Sequence, residues 1–253
     1  MLLYIAKHKS FIYLLSIFLI GSLYQLRAQV FIQQTEDGFN GKAATYVVYG
    51  SEGLTNRIPY DRVKGTPFWS DEYKLAALYS LNKRVSIRPV KLNLASNEIY
   101  FLKNDEELVL ENVDVTKLIF YKGKDTSEIE TSFIRKVPDL VIWNKKTDDF
   151  IQVLNQGKYQ LLKHTKRIVG DADSLFGTQK KYFFKDELNY FLKVNDKVEK
   201  VKKMNEEYIL SLLPSSSNYK VWIKENNINF KKEEDVIRFL NYFNSQTSTS
   251  PPN

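Results

Sequence analysis

The chain has 253 residues, no cysteine, two histidines and a net charge of +7 from 37 basic and 30 acidic side chains. Hydrophobic residues at 43% and charged residues at 26% are the proportions of a folded globular protein and exclude a disordered chain. Without cysteine there is no disulfide scaffold and no thiolate metal site, so stability must come from burial.

The first 28 residues read as a cleavable secretory signal. Lys7 and Lys9 form a positive start, Phe11 to Ile20 an apolar run, and Leu26-Arg27-Ala28 precedes Gln29. The expected cut lies between Ala28 and Gln29. The alternative is an uncleaved anchor, but a spanning helix wants ~20 apolar residues and this run is shorter. No cysteine is present to carry a lipid. Removing Lys7, Lys9 and Arg27 with the signal leaves 34 basic against 30 acidic side chains, a net charge of +4. The remaining ~200 residues are enough to bury roughly 70% of their unfolded surface.

Residues 29–201 are expected to be β-rich. The part up to residue 72 is rich in Gly and Pro, with one clear strand at Thr45–Tyr49. From Tyr73 on, short apolar runs alternate with turn residues at the spacing of an antiparallel meander. The runs are Tyr73–Tyr79, Val85–Leu94, Glu98–Leu102, Glu107–Leu110 and Val115–Tyr121. They are broken at Asn82-Lys83, Ser96-Asn97 and Asn104-Asp105, whose side chains tolerate tight turns. Val85 and Ile87 have one parity, and Val90, Leu92 and Leu94 the other. A strand of period two cannot bury both sets on one face without an inserted residue, so a bulge is expected near Arg88-Pro89-Val90. A polar stretch, 122–132, separates this part from Phe133-Ile134 and Leu140–Trp143. Phe150–Leu154 and Tyr159–Val169 flank Asn155-Gln156-Gly157-Lys158, a hairpin signal. Leu188, Tyr190, Leu192 and Val194 alternate, and Asn195-Asp196 turns into Val198–Val201.

The period then changes to that of helices, over residues 202–245. Tyr208, Ile209, Leu212 and Leu213 share a face, with Asn205 as the cap and Pro214 as the stop. A second helix is expected at Ser217–Glu225. A third is expected from near Lys232, its first turn bearing Glu233, Glu234 and Asp235, with Val236, Leu240 and Phe243 inward. Residues 246–253 read as a disordered tail. The expected class is α+β: a body rich in antiparallel β-meander, followed by three short C-terminal helices.

Three segments carry a resemblance: Gly65-Thr66-Pro67-Phe68-Trp69-Ser70-Asp71-Glu72, then Val90–Leu94 with Asn97-Glu98-Ile99, and Glu233-Glu234-Asp235 to Asn241-Tyr242-Phe243-Asn244. Over residues 65–244 the chain resembles a family of exported bacterial β-rich proteins with a short helical C-terminal region. The resemblance implies export and a β-then-α layout, and it supplies no active site.

Catalytic and cofactor motifs fail on context. His164 is the only histidine after the signal, and it sits between Lys163 and Thr165-Lys166-Arg167 with no nucleophile elbow elsewhere. It is read as a surface strand histidine. Ser80–Lys83 and Ser217–Lys220 are Ser-x-x-Lys strings without their companion elements, and Ser217 reads as a helix cap. Asp171-Ala172-Asp173-Ser174 lacks the glycine and glutamate of a calcium loop, because Phe176 and Tyr182 stand there, and reads as a solvated turn. No phosphate-binding glycine motif occurs, and no cofactor or metal is assigned.

One stretch is suggestive. Lys158, Lys163, Lys166 and Arg167 fall on one predicted strand, with Lys180, Lys181, Lys200, Lys202 and Lys203 near its neighbours, and Lys163, Lys166 and Arg167 are the candidate contacts. Export argues against nucleic acid, leaving anionic lipid or acidic polysaccharide as the polyanion. The bland alternative is a solvated edge guarded by lysines. Cations on both strand faces predict a finger that runs past the packed sheet. The functional expectation is a non-enzymatic binding or envelope-associated module at the periplasm or cell surface, not an integral membrane protein after cleavage. A carboxylate-dependent hydrolase is the alternative, since it needs only two acids at the right separation.

Overall fold

In the computed structural model the meander turns on residues that hold positive φ. Leu81-Asn82 (φ 46° and 66°) and Asn104-Asp105 (φ 52° and 62°) are two-residue hairpin loops with both φ values positive. Asn97 (φ 61°) turns the chain between them. The first turn thus lies one residue earlier than Asn82-Lys83, with Leu81 exposed at its tip. The structure describes residues 40–43, 47–49, 57–111, 114–138, 140–142, 145–174, 177–195, 197–214 and 219–248, all within the compact unit Glu36–Asn253. The signal, with Ala28 and Gln29, lies outside the described residues, as does Ser217.

The strands are β1 (Asn40–Ala43), β2 (Val47–Tyr49), β3 (Arg57–Pro59), β4 (Val63–Lys64), β5 (Lys74–Ser80), β6 (Lys83–Asn93), β7 (Glu98–Lys103) and β8 (Glu106–Glu111). They continue as β9 (Lys117–Tyr121), β10 (Ile129–Ile134), β11 (Val141–Ile142), β12 (Lys145–Lys146), β13 (Ile151–Val153), β14 (Tyr159–Ser174), β15 (Gly177–Val194) and β16 (Lys197–Val201). Helices α1 (Glu206–Ser211), α2 (Tyr219–Glu225) and α3 (Glu233–Ser248) follow, so the class is α+β as expected. One sheet runs β1-β8-β7-β6-β5-β9-β10-β13-β14-β15-β16. Its pairings are antiparallel, except that β4 joins β15 in parallel.

Four local expectations are corrected. The segment up to residue 72 contributes β1, β3 and β4 besides the expected strand: β3 pairs with that strand, and β1 and β4 find their partners far away on β8 and β15. Strand β10 begins at Ile129, inside the stretch read as polar, because its pairing with β9 extends back to Tyr121. Helix α3 runs to Ser248, three residues into the expected tail; Thr247 caps back to the carbonyls of Phe243 and Asn244. The bulge is absent from Arg88-Pro89-Val90. Pairing is unbroken from Lys74↔Val90 to Leu78↔Ser86, and the next pair is Tyr79↔Arg84. The inserted residue is therefore Val85, which packs with Ala76, Leu78, Val90 and Leu92. The parity conflict is real but is resolved three residues earlier, leaving Ile87 half-buried on the other face.

Two cores meet at β14 and β15. Leu161 and Leu192 face one way with Tyr159, into a cluster completed by Ile209, Ile223, Phe239, Leu240 and Phe243 of the helices. Leu162 and Phe191 face the other way, against Ile142, Ile151 and Val153. Asn244 of α3 fixes the helical layer to the hairpin before β14. It accepts from Tyr159 N–H (2.9 Å) and donates to the carbonyls of Gln156 (3.0 Å) and Tyr159 (2.9 Å). Gly157 holds φ +115° in that hairpin, and a Cβ there would lie 2.6 Å from Asn244 Cγ. Asn205 caps α1 as expected, accepting from Tyr208 N–H at 2.9 Å.

Candidate functional site

The cations singled out in the sequence are built into the sheet. Both faces of β14 are covered at this level, and each cation there is given a carboxylate. Lys163 reaches Glu233, in the first turn of α3, at 2.8 Å, and Tyr190 donates to the same Glu233 oxygen at 2.6 Å. Burial and then the Glu233 contact push the Tyr190 phenol well up. Lys166 lies 3.9 Å from Asp149. Arg167 forks onto Asp186, its register partner on β15, through Nε (2.6 Å) and Nη2 (3.0 Å). Its Nη1 also donates to the carbonyls of Thr66 (3.0 Å) and Phe68 (2.5 Å), which pins the preceding loop to the ribbon. The finger of free cations at Lys163, Lys166 and Arg167 is thus corrected. Pairing with Glu233, Asp149 and Asp186 offsets the cost of covering the charges.

His164 is also corrected. It is a buried residue, its side chain 1% exposed, and its Nε2 lies 2.9 Å from Asp149 Oδ2. An ionised carboxylate only accepts, so Nε2 carries the proton in this bond. Burial of Asp149 raises its pKa, but the His164 hydrogen bond, Lys166 and Thr147 outweigh that and hold the carboxyl below its ordinary value. A base sealed on all sides cannot reach a substrate, so this pair is a structural element.

The remaining cations converge farther along the ribbon. β13 pairs with β14 no farther than Lys163, and β16 pairs with β15 no earlier than Tyr190. Beyond those points β14 and β15 continue as a two-stranded ribbon, to which β4 pairs at Tyr182↔Val63 and Phe183↔Lys64 and the Leu94 carbonyl accepts from Arg167 N–H at 3.2 Å. An open groove of about 890 Å³ lies along this junction, between residues 61–65 and 180–184. Arg62, Lys64, Lys180 and Lys181 line it, and Asp61 is the single carboxylate of the lining. Lys180 lies 3.2 Å from Asp171. No ion pair among the described residues engages Arg62, Lys64 or Lys181, all of which are exposed. Val63 and Val169 pack with Tyr60, Tyr182 and Phe184 on one face of this junction, and Phe183, the register partner of Lys64, lies on the other. Tyr60 and Phe184 meet edge to face at 5.6 Å, and Tyr60 also accepts from Asn93 Nδ2 at 3.1 Å.

Lys180 and Lys181 were visible in the sequence as neighbours of the basic strand. Arg62 and Lys64 were not, because more than a hundred residues separate them from β15 and only the parallel pairing joins them. Asp171–Ser174, read as a turn, is the end of β14, and Asp171 pairs in register with Tyr182. Ser80 and Lys83 merely flank the first hairpin turn.

A second groove of about 320 Å³ lies between Trp69, Ile129–Ser132 and Gln152–Gln156. Its one carboxylate, Glu130, is held by Lys74 at 2.6 Å, and the Lys74 ammonium also lies 5.3 Å from the centre of the Trp69 ring. Among the described residues no group of three or more His, Asp or Glu is placed to hold a metal ion, and no helix is long and apolar enough to cross a membrane. The chain matches no protein-family model, no curated protein and no solved structure.

Proposed function

We propose that the protein is an exported, non-enzymatic module that binds a polyanion of the cell envelope through the groove at Arg62, Lys64, Lys180 and Lys181. One observation carries this reading. These side chains converge from two distant parts of the chain on a shared groove, and three of them have no carboxylate partner among the described residues. A cation already paired must break that pair to meet a ligand, whereas Arg62, Lys64 and Lys181 give up only water. The signal-like residues 1–28, and the resemblance to exported β-rich proteins, support a role at the periplasm or cell surface. The binding reading is preferred to a carboxylate hydrolase because each of the two grooves holds a single acid, Asp61 or Glu130, and such hydrolysis needs a pair.

The test is a titration of the purified mature chain with inorganic polyphosphate at rising salt. Binding that weakens steadily with salt is expected; no salt-sensitive binding overturns the reading. Intact-mass measurement of exported material checks the export half, with a chain beginning at Gln29 expected and a species retaining Met1–Ala28 refuting cleavage.

A further inference from the structure

The same groove is more specific than its charge. Resting on the polyanion reading above, we infer that it takes the phosphate headgroup of an anionic phospholipid and thereby holds the ribbon of β14 and β15 at a membrane surface. Lys64 and Lys181 share one face of the ribbon with the ring of Phe183, because Phe183 pairs with Lys64 and side chains alternate along a strand, and Arg62 lines the same opening. A phosphodiester meets the cations, and the glycerol and first methylenes behind it meet the ring of Phe183. Aromatic residues favour that depth of a bilayer, and lysine stems extend along apolar surface while their ammonium groups stay at the headgroups.

An acidic polysaccharide would use the groove less well. Sugar hydroxyls need acceptors and amide groups to fix them, and the lining offers Asp61 and no Asn or Gln side chain. The second groove is the reverse: Gln152, Asn155 and Gln156 line it, and no unpaired cation does. The ribbon also suits a surface. From Ile168 to Ser174 it extends ~20 Å at the usual rise per residue, past the last pairing with β13.

The experiment compares three probes on the mature chain: vesicles of phosphatidylcholine alone, the same vesicles with phosphatidylglycerol added, and soluble polyphosphate. Cosedimentation with the phosphatidylglycerol vesicles alone among the two is expected. The variant Arg62→Gln/Lys64→Gln/Lys181→Gln should bind them about 100-fold more weakly, at roughly fivefold per exposed cation. It should melt as the parent does, because all three side chains are exposed. Vesicle binding should also outlast polyphosphate binding as salt rises, since apolar contact is not screened. Polyphosphate binding without vesicle binding, or vesicle binding that vanishes at the same salt, overturns the lipid inference and leaves the polyanion reading standing. No binding to either probe overturns both. Undiminished binding by the triple variant refutes the placement in this groove.

Discussion

Replacing His164 by alanine distinguishes the buried pair from a surface histidine by the size of its effect. A solvated strand residue changes stability by less than about 0.5 kcal/mol when truncated. In the structure the imidazole is sealed in and bonded to the Asp149 carboxylate at 2.9 Å. Losing a hydrogen bond to an ionised group removes about 1.5–3 kcal/mol, and the space left by the ring adds to that. The expected destabilisation is about 3 kcal/mol or more, out of the ~5–15 kcal/mol typical of a domain. Urea unfolding followed by circular dichroism measures it as a lower midpoint at unchanged slope. A double-mutant cycle with Asp149→Asn separates the bond from the cavity. A loss below about 1 kcal/mol refutes the structural assignment. The pH dependence has a definite sign. Asp149 is held below its ordinary value, so its ionised form contributes stability that is complete above about pH 4 and disappears as pH falls through the lowered value. The gap between the parent and Asp149→Asn should therefore be flat just above pH 4 and close on further acidification. Binding to polyphosphate should be unchanged in His164→Gln, because His164 lines neither groove.

Two further substitutions test how the site is held. Arg167→Lys removes the fork onto Asp186 and the bonds to the carbonyls of Thr66 and Phe68, and should cost about 2 kcal/mol by urea unfolding; a change under about 0.5 kcal/mol would mean the loop is held by other contacts. Asn244→Leu takes the acceptor from Tyr159 N–H and one of two side-chain donors from the carbonyls of Gln156 and Tyr159, which keep Asn155 Nδ2, and should cost about 1–3 kcal/mol; faster amide exchange at Tyr159 is its local signature, and unchanged protection there contradicts the assigned bridge.

Periodicity disclosed the elements whose partners are adjacent in the chain. The hairpins from β5 to β8, the β13–β14 turn at Gly157 and the Asn205 cap each depend on residues within a few positions, and each is where the sequence placed it to within a residue or so. What stayed hidden depends on distant pairing. β1 is a strand because β8 offers it an edge, and β4 because β15 does. The bulge was inferred correctly as a need and misplaced, since Pro89 drew it. β7 begins pairing only at Val90↔Phe101, so the missing proline donor disrupts nothing. His164 was misread for the same reason: Asp149, fifteen residues away on another segment, makes its burial affordable.

The basic strand shows how far charge counting reaches. Cations on both faces of a strand were taken to require solvent on both faces, and that step fails when the neighbours bring carboxylates in register. Asp186 lies directly across from Arg167, and Glu233 and Asp149 arrive from α3 and from the segment before β13. A cation is therefore available to a ligand only where the layers that supply such acids have ended. On this ribbon acids still reach past the end of β13: Asp149 meets Lys166, Asp186 meets Arg167 and Asp171 meets Lys180. At the groove, β4 brings up Arg62 and Lys64, and no ion pair among the described residues engages either of them or Lys181. Arg62, Lys64 and Lys181 are therefore the cations of this junction that a polyanion can meet without first breaking an ion pair among the described residues.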